Sequence, residues 1–91
     1  MKVLIIDDEN KARSLLQTII RECCPEIETV FEASNLLDGV AILKSNAIDV
    51  LFLDIEMPQH SGLELFDFID INSVNFEIIF DPRLKALRAS N

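Results

Sequence analysis

Two clusters of carboxylates punctuate this chain, and each follows a run of apolar residues. Asp7-Asp8-Glu9 comes directly after Val3-Leu4-Ile5-Ile6, and Asp54-Ile55-Glu56 directly after Val50-Leu51-Phe52-Leu53. Four apolar residues bounded by acids read as a short strand buried on both faces. Pro58 soon afterwards prevents ladder pairing from continuing. Asp54 alone has two readings. A lone Asp at a strand end most often caps the next turn; alternatively it is a reactive group at the carboxyl edge of a parallel sheet, where open α/β folds bind ligands. The repeated design decides between them. If the two strands are parallel and adjacent, Asp7, Asp8 and Asp54 converge on one edge. Three carboxylates that close repel one another and resist ionisation unless a cation sits among them. An oxygen-only cluster without paired Cys or His suits a hard divalent ion, Mg²⁺ above all.

Positioning these acids requires parallel strands joined by helical crossovers, and the intervening sequence supplies them. Ala12, Leu15, Leu16, Ile19, Ile20 and Cys23 recur at three- and four-residue spacing. They form one apolar stripe, with Lys11, Arg13, Gln17, Arg21 and Glu22 on the other side. Asn10 can cap this helix, although Asp8 or Glu9 could serve, and Pro25 stops it. Glu28 to Ala33 is a second strand. Ser34 or Asn35 opens a helix over Leu36 to Ser45, weakened by Gly39, with Leu37, Val40, Ala41 and Leu43 inward. Gln59-His60-Ser61-Gly62 is a loop in which Gly62 takes a conformation costly to other residues and His60 is exposed. Leu63 to about Ile71 reads as a third helix, with Leu65, Phe66 and Ile69 inward. Phe76 to Phe80 is a fourth strand, and Pro82 opens a last short helix. The βαβαβαβα pattern predicts a doubly wound parallel sheet. Right-handed crossovers favour the flavodoxin-like order 2-1-3-4, which makes strands one and three neighbours.

Composition bounds the function. Ninety-one residues make one domain, 1–91, and 49% hydrophobic content supplies a core. A net charge of −8 argues against nucleic-acid binding by this segment, because phosphate contacts need Lys and Arg patches. Cys23 and Cys24 are adjacent and lack metal-ligand spacing, so they read as reduced thiols at a helix end, as expected in a cytosol. No apolar run approaches membrane-spanning length.

The motifs Val3-Leu4-Ile5-Ile6-Asp7-Asp8-Glu9, Asp49 to Pro58, and Ser61-Gly62-Leu63-Glu64-Leu65 together resemble the receiver domain of two-component response regulators. Leu53-Asp54-Ile55-Glu56-Met57-Pro58 with Ser61-Gly62 looks most like receivers that precede LytTR-type DNA-binding domains. The resemblance implies that a histidine kinase donates a phosphoryl group to Asp54. It also implies Mg²⁺ held by Asp8 and Asp54, with Asp7 bound through water and the Glu56 backbone carbonyl completing the set. A cytoplasmic protein is implied, with a homodimer through the fourth-helix face and DNA bound only through an output domain outside this chain.

The chain departs from that family after Phe80. Receivers carry five βα units, and this sequence ends where the fifth strand is expected. Asp81 follows Phe80 where the family has a Thr or Ser, and the family's Lys before a Pro after strand five has no counterpart. The sequence is therefore either cut down here or joined across a missing loop. These departures keep open a pseudo-receiver, the same fold used for interaction without phospho-switching. A Mg²⁺-dependent phosphatase with an Asp nucleophile fits less well, since the Asp-x-Asp alternation is absent from Asp7-Asp8-Glu9 and no cap domain is present.

Overall fold

The computed structural model of the chain describes residues 1–80. Expectations for Pro82 and the residues after it lie outside that span. Strand β1 (Lys2–Ile6) leads to helix α1 (Asn10–Cys23), then β2 (Thr29–Ala33), α2 (Leu36–Ser45) and β3 (Val50–Leu53). A single 3₁₀ turn at Gly62–Glu64 runs into the short helix α3 (Leu65–Phe68). A second 3₁₀ turn, Ile71–Ser73, precedes strand β4 (Glu77–Phe80). The strands are all parallel, in the order β2-β1-β3-β4. This is the doubly wound arrangement that the alternating pattern predicts.

β1 occupies the centre, and Val3, Leu4, Ile5 and Ile6 are all buried. A strand covered on both faces gains from every side chain, roughly 1.5–3 kcal/mol for each fully buried Val, Leu or Ile. On one face, Leu4 and Ile6 pack with Leu36, Val40, Leu51, Leu53 and Leu65. On the other, Val3 and Ile5 pack with Leu16 and Ile20 of α1. β3 differs from the expectation of burial on both faces. Leu51 and Leu53 are buried, whereas Val50 and Phe52, on the α1 side, are half-buried.

The helices are narrower in contact than their apolar stripes imply. In α1, Ala12, Leu16 and Ile20 are buried, but Leu15 is 51% exposed and Ile19 41%. The α1 N-cap is Glu9, without a side-chain capping bond, so the helix begins at Asn10 rather than after it. Cys23 and Cys24 are free thiols at its end, as expected. In α2, Asn35 caps by accepting from the Asp38 amide at 2.8 Å. Leu36, Gly39 and Val40 face inward, whereas Leu37 and Ala41 are exposed. Gly39 costs helix propensity but lets α2 close on β1, since a Cβ there would press into the Ile6 side chain.

The expected third helix, Leu63 to Ile71, is broken into shorter turns. Asp70 accepts from the Asn72 amide at 2.9 Å and starts a separate turn at Ile71. Leu65 is buried and Ile69 packs against the core, but Phe66 is 42% exposed. Short polar side chains that bond nearby amides compete with continued helix.

Candidate functional site

The two strand-end acids are placed by the ladder itself. Asp7 follows β1, and its amide donates to the Ala33 carbonyl of β2 at 3.1 Å. Asp54 follows β3, and its amide donates to the Ile6 carbonyl of β1 at 2.9 Å. Ile6 pairs with Leu53, so Asp7 and Asp54 leave neighbouring strands at the same level. Both are nearly buried, at 3% and 5% exposure, and Asp8 is more open. One carboxylate oxygen from each of Asp7, Asp8 and Asp54 lies within 4.8 Å of the others.

Both buried acids also close local turns. Asp7 Oδ1 accepts from the Glu9 amide at 2.9 Å, and Asp54 Oδ1 from the Glu56 amide at 3.2 Å. Turn capping does not remove either carboxylate from the cluster: a backbone donor fixes each while the three acids stay together. Three carboxylates with no Cys or His among them fit a hard, oxygen-seeking cation. Sequence spacing brought all three acids together correctly.

It missed Arg13, which was placed on the solvated side of α1. The guanidinium donates to the Asp7 carbonyl at 2.6 Å and to Glu32 at 3.3 Å, and also bonds Asn10. Arg13 thus ties the start of α1 to the ends of β1 and β2, beside the acids. The three-residue spacing of Asn10 and Arg13 was the available signal, and it is a weak one.

The loop after Asp54 differs from expectation at two residues. Gly62 does not adopt positive φ; Gln59 does, at 70°. Gly62 is required for space instead, because a Cβ there would overlap the Asp54 backbone carbonyl oxygen. His60 is not simply exposed. Its Nδ1 lies 3.3 Å from Glu64 Oε1, and its ring meets Phe68 edge-on at 5.2 Å between centroids.

Glu64 closes a capping box with Ser61. The Ser61 backbone N–H, then the His60 side chain, hold the Glu64 carboxyl below its ordinary value of 4.5. A carboxyl lowered in the folded state stabilises above its unfolded pKa, and that contribution is lost as pH falls through the lower folded value. The stability gap between wild type and Glu64→Gln is therefore expected to shrink as pH falls below the ordinary Glu range. Thermal melts across acidic pH check this; a gap that stays constant through the acid limb would contradict it.

Residues 3–81 match the family described as the response regulator receiver domain. The chain is a member of that family. The BtsR transcriptional regulatory protein of Escherichia coli K12 is 46% identical over 70 residues, which cover 77% of this chain and 29% of BtsR. The receiver thus spans about a third or less of the curated relatives it matches. Among solved structures, response regulator TrrA of Thermotoga maritima with Mg²⁺ and beryllofluoride is 31% identical, with a TM-score of 0.74. That match covers 87% of this receiver and 66% of TrrA. TrrA is also known in complex with the histidine kinase ThkA, and there the TM-score is 0.72 at the same coverage and 31% identity. Among the described residues, no helix of the receiver is long and apolar enough to cross a membrane.

Proposed function

We propose that this receiver accepts a phosphoryl group on Asp54 from a histidine kinase, with Mg²⁺ bound at the acid cluster. The observation that carries the reading is the convergence of Asp7, Asp8 and Asp54 oxygens within 4.8 Å at one sheet edge. Asp8 and Asp54 would hold the ion directly, Asp7 through water, and Glu56 through its backbone carbonyl. When bound, the ion neutralises charge developing on the transferred phosphoryl oxygens. An Asp54 carboxylate oxygen attacks phosphorus, the P–N bond of a phosphohistidine breaks, and the departing imidazole nitrogen keeps the electron pair. The chain positions the nucleophile and catalyses its own modification; it is not a turnover enzyme.

The remaining proposals concern the longer protein. That the relative BtsR is a transcriptional regulatory protein supports an output domain that binds DNA, of LytTR type on the Leu53-to-Pro58 motif. Cytoplasmic location and pairing of two receivers belong to the same reading.

Metal binding gives the first test. At a Mg²⁺ concentration ten times its dissociation constant, binding stabilises by roughly 1.4 kcal/mol. For a domain this small, that raises the melting temperature by roughly 5–10 °C. Wild type is expected to show the shift and Asp8→Ala to lose most of it. No shift, or equal shifts in both, would count against the site.

A further inference from the structure

We infer that Ser61 is a positioning residue for the Asp54 carboxylate, acting through the peptide group that joins Ile55 to Glu56. The inference rests on the proposed role of Asp54. A peptide group is planar, so the Ile55 carbonyl and the Glu56 N–H point in opposite directions and turn together. The Glu56 N–H donates to Asp54 Oδ1 at 3.2 Å. The Ile55 carbonyl accepts from Ser61 Oγ at 2.7 Å and from the Gly62 amide at 2.8 Å. The orientation of that plane, and hence the donor aimed at Asp54, is set from the Ser61 side.

Ser61 is itself fixed at three atoms. Its amide donates to Glu64 Oε2 at 2.6 Å, and its carbonyl accepts from the Glu64 amide at 3.0 Å. Its Oγ accepts from the Leu63 amide at 3.1 Å while donating to Ile55, so the hydroxyl has one defined orientation. The second Glu64 oxygen reaches His60. A rigid 61–64 turn thus grips one end of a planar lever whose other end holds the reactive carboxylate. Such supporting contacts matter because a ligand or nucleophile must be held to within a fraction of an ångström of its working geometry.

The Gly62 amide remains on Ile55 when the hydroxyl is removed, so the expected effect is a loosening. Loss of a supporting bond commonly costs 10–100-fold in metal affinity; with one donor left, Ser61→Ala is expected to weaken Mg²⁺ binding by about threefold to tenfold. Ser61→Thr keeps the hydroxyl and is expected to restore wild-type affinity. The measurements are Mg²⁺ titration by calorimetry and hydrogen exchange of the Glu56 amide without metal. Exchange at Glu56 is expected to quicken in Ser61→Ala, while amides of β1 keep their rates. Asp70→Ala, which removes a comparable cap remote from the acids, is expected to change neither reading.

Unchanged Mg²⁺ affinity and unchanged Glu56 exchange in Ser61→Ala would overturn the inference, as would failure of Ser61→Thr to restore them. If Ser61→Ala does not fold, Ser61→Cys keeps the volume with a weaker donor and is read the same way. Absence of Mg²⁺ binding in wild type would instead overturn the metal site, and Glu56 exchange would still report on the lever.

Discussion

Asp54→Asn is expected to take up no phosphoryl group from acetyl phosphate and Mg²⁺, under conditions where wild type gains one. The substitution is nearly isosteric, and the amide oxygen still accepts from the Glu56 N–H, so the turn after β3 is kept. What changes is the chemistry. An amide oxygen carries no full negative charge and is a poor nucleophile at phosphorus. The change also removes one anion from the Asp7, Asp8 and Asp54 set, so Mg²⁺ affinity is expected to fall with it. The variant remains folded because the β1–β3 ladder bond from the residue-54 amide to Ile6 does not involve the side chain. Intact mass after incubation reads the outcome directly. Labelling that survives Asp54→Asn would place the nucleophile elsewhere.

Gly62→Ala is expected to be the most damaging single methyl in this loop. The added Cβ would overlap the Asp54 backbone carbonyl oxygen and stand 3.0 Å from both the Asp54 carbonyl carbon and Leu53 Cγ. Two of those three neighbours are backbone atoms of Asp54, whose amide is tied to the Ile6 carbonyl, so they cannot turn away as the end of a flexible side chain could. Overpacking of this kind costs about 1–3 kcal/mol, which for a domain of this size lowers the melting temperature by roughly 5–20 °C. Because the displaced group is Asp54 itself, Mg²⁺ affinity is expected to fall as well. Gly39→Ala provides the contrast. Its Cβ would meet side-chain rather than backbone atoms, but Ile6 is fully buried, so this change is also expected to destabilise, offset in part by up to about 1 kcal/mol of helix propensity. A melting midpoint for Gly62→Ala equal to wild type would show that the loop yields, contrary to this account.

The sheet and its acid edge were legible in the sequence because a central parallel strand must be apolar on both faces. Val3 to Ile6 and Val50 to Leu53 carry that signature, and the acids follow each at the same offset. Topology then brings Asp7, Asp8 and Asp54 together without further information. The helix stripes were less informative. Leu15 and Ile19 obey helical spacing, yet among the described residues they remain exposed, because periodicity shows which face is apolar and not how much of it finds a partner. The loop was the least legible part. His60, Ser61 and Glu64 act through hydrogen bonds whose partners include the backbone atoms of Ile55 and Leu63. The Ser61-x-x-Glu64 spacing is a capping-box signal, but no side-chain pattern encodes the contact from Ser61 to the Ile55 carbonyl. Gly62 was singled out correctly but for the wrong cause, since a glycine needed for space and one needed for positive φ look identical in sequence.

The central claim is that this sheet edge is a Mg²⁺-dependent phosphoacceptor with Asp54 as nucleophile. Its most direct test is to locate the phosphoryl group on the wild-type chain. The protein is incubated with acetyl phosphate, with Mg²⁺ or with a chelator, then trapped with borohydride, which reduces an aspartyl phosphate to homoserine, and mapped by peptide mass. The account predicts homoserine at position 54 with Mg²⁺ and unmodified Asp54 with the chelator. Modification at another acid, or equal modification of Asp54 without the metal, would contradict it.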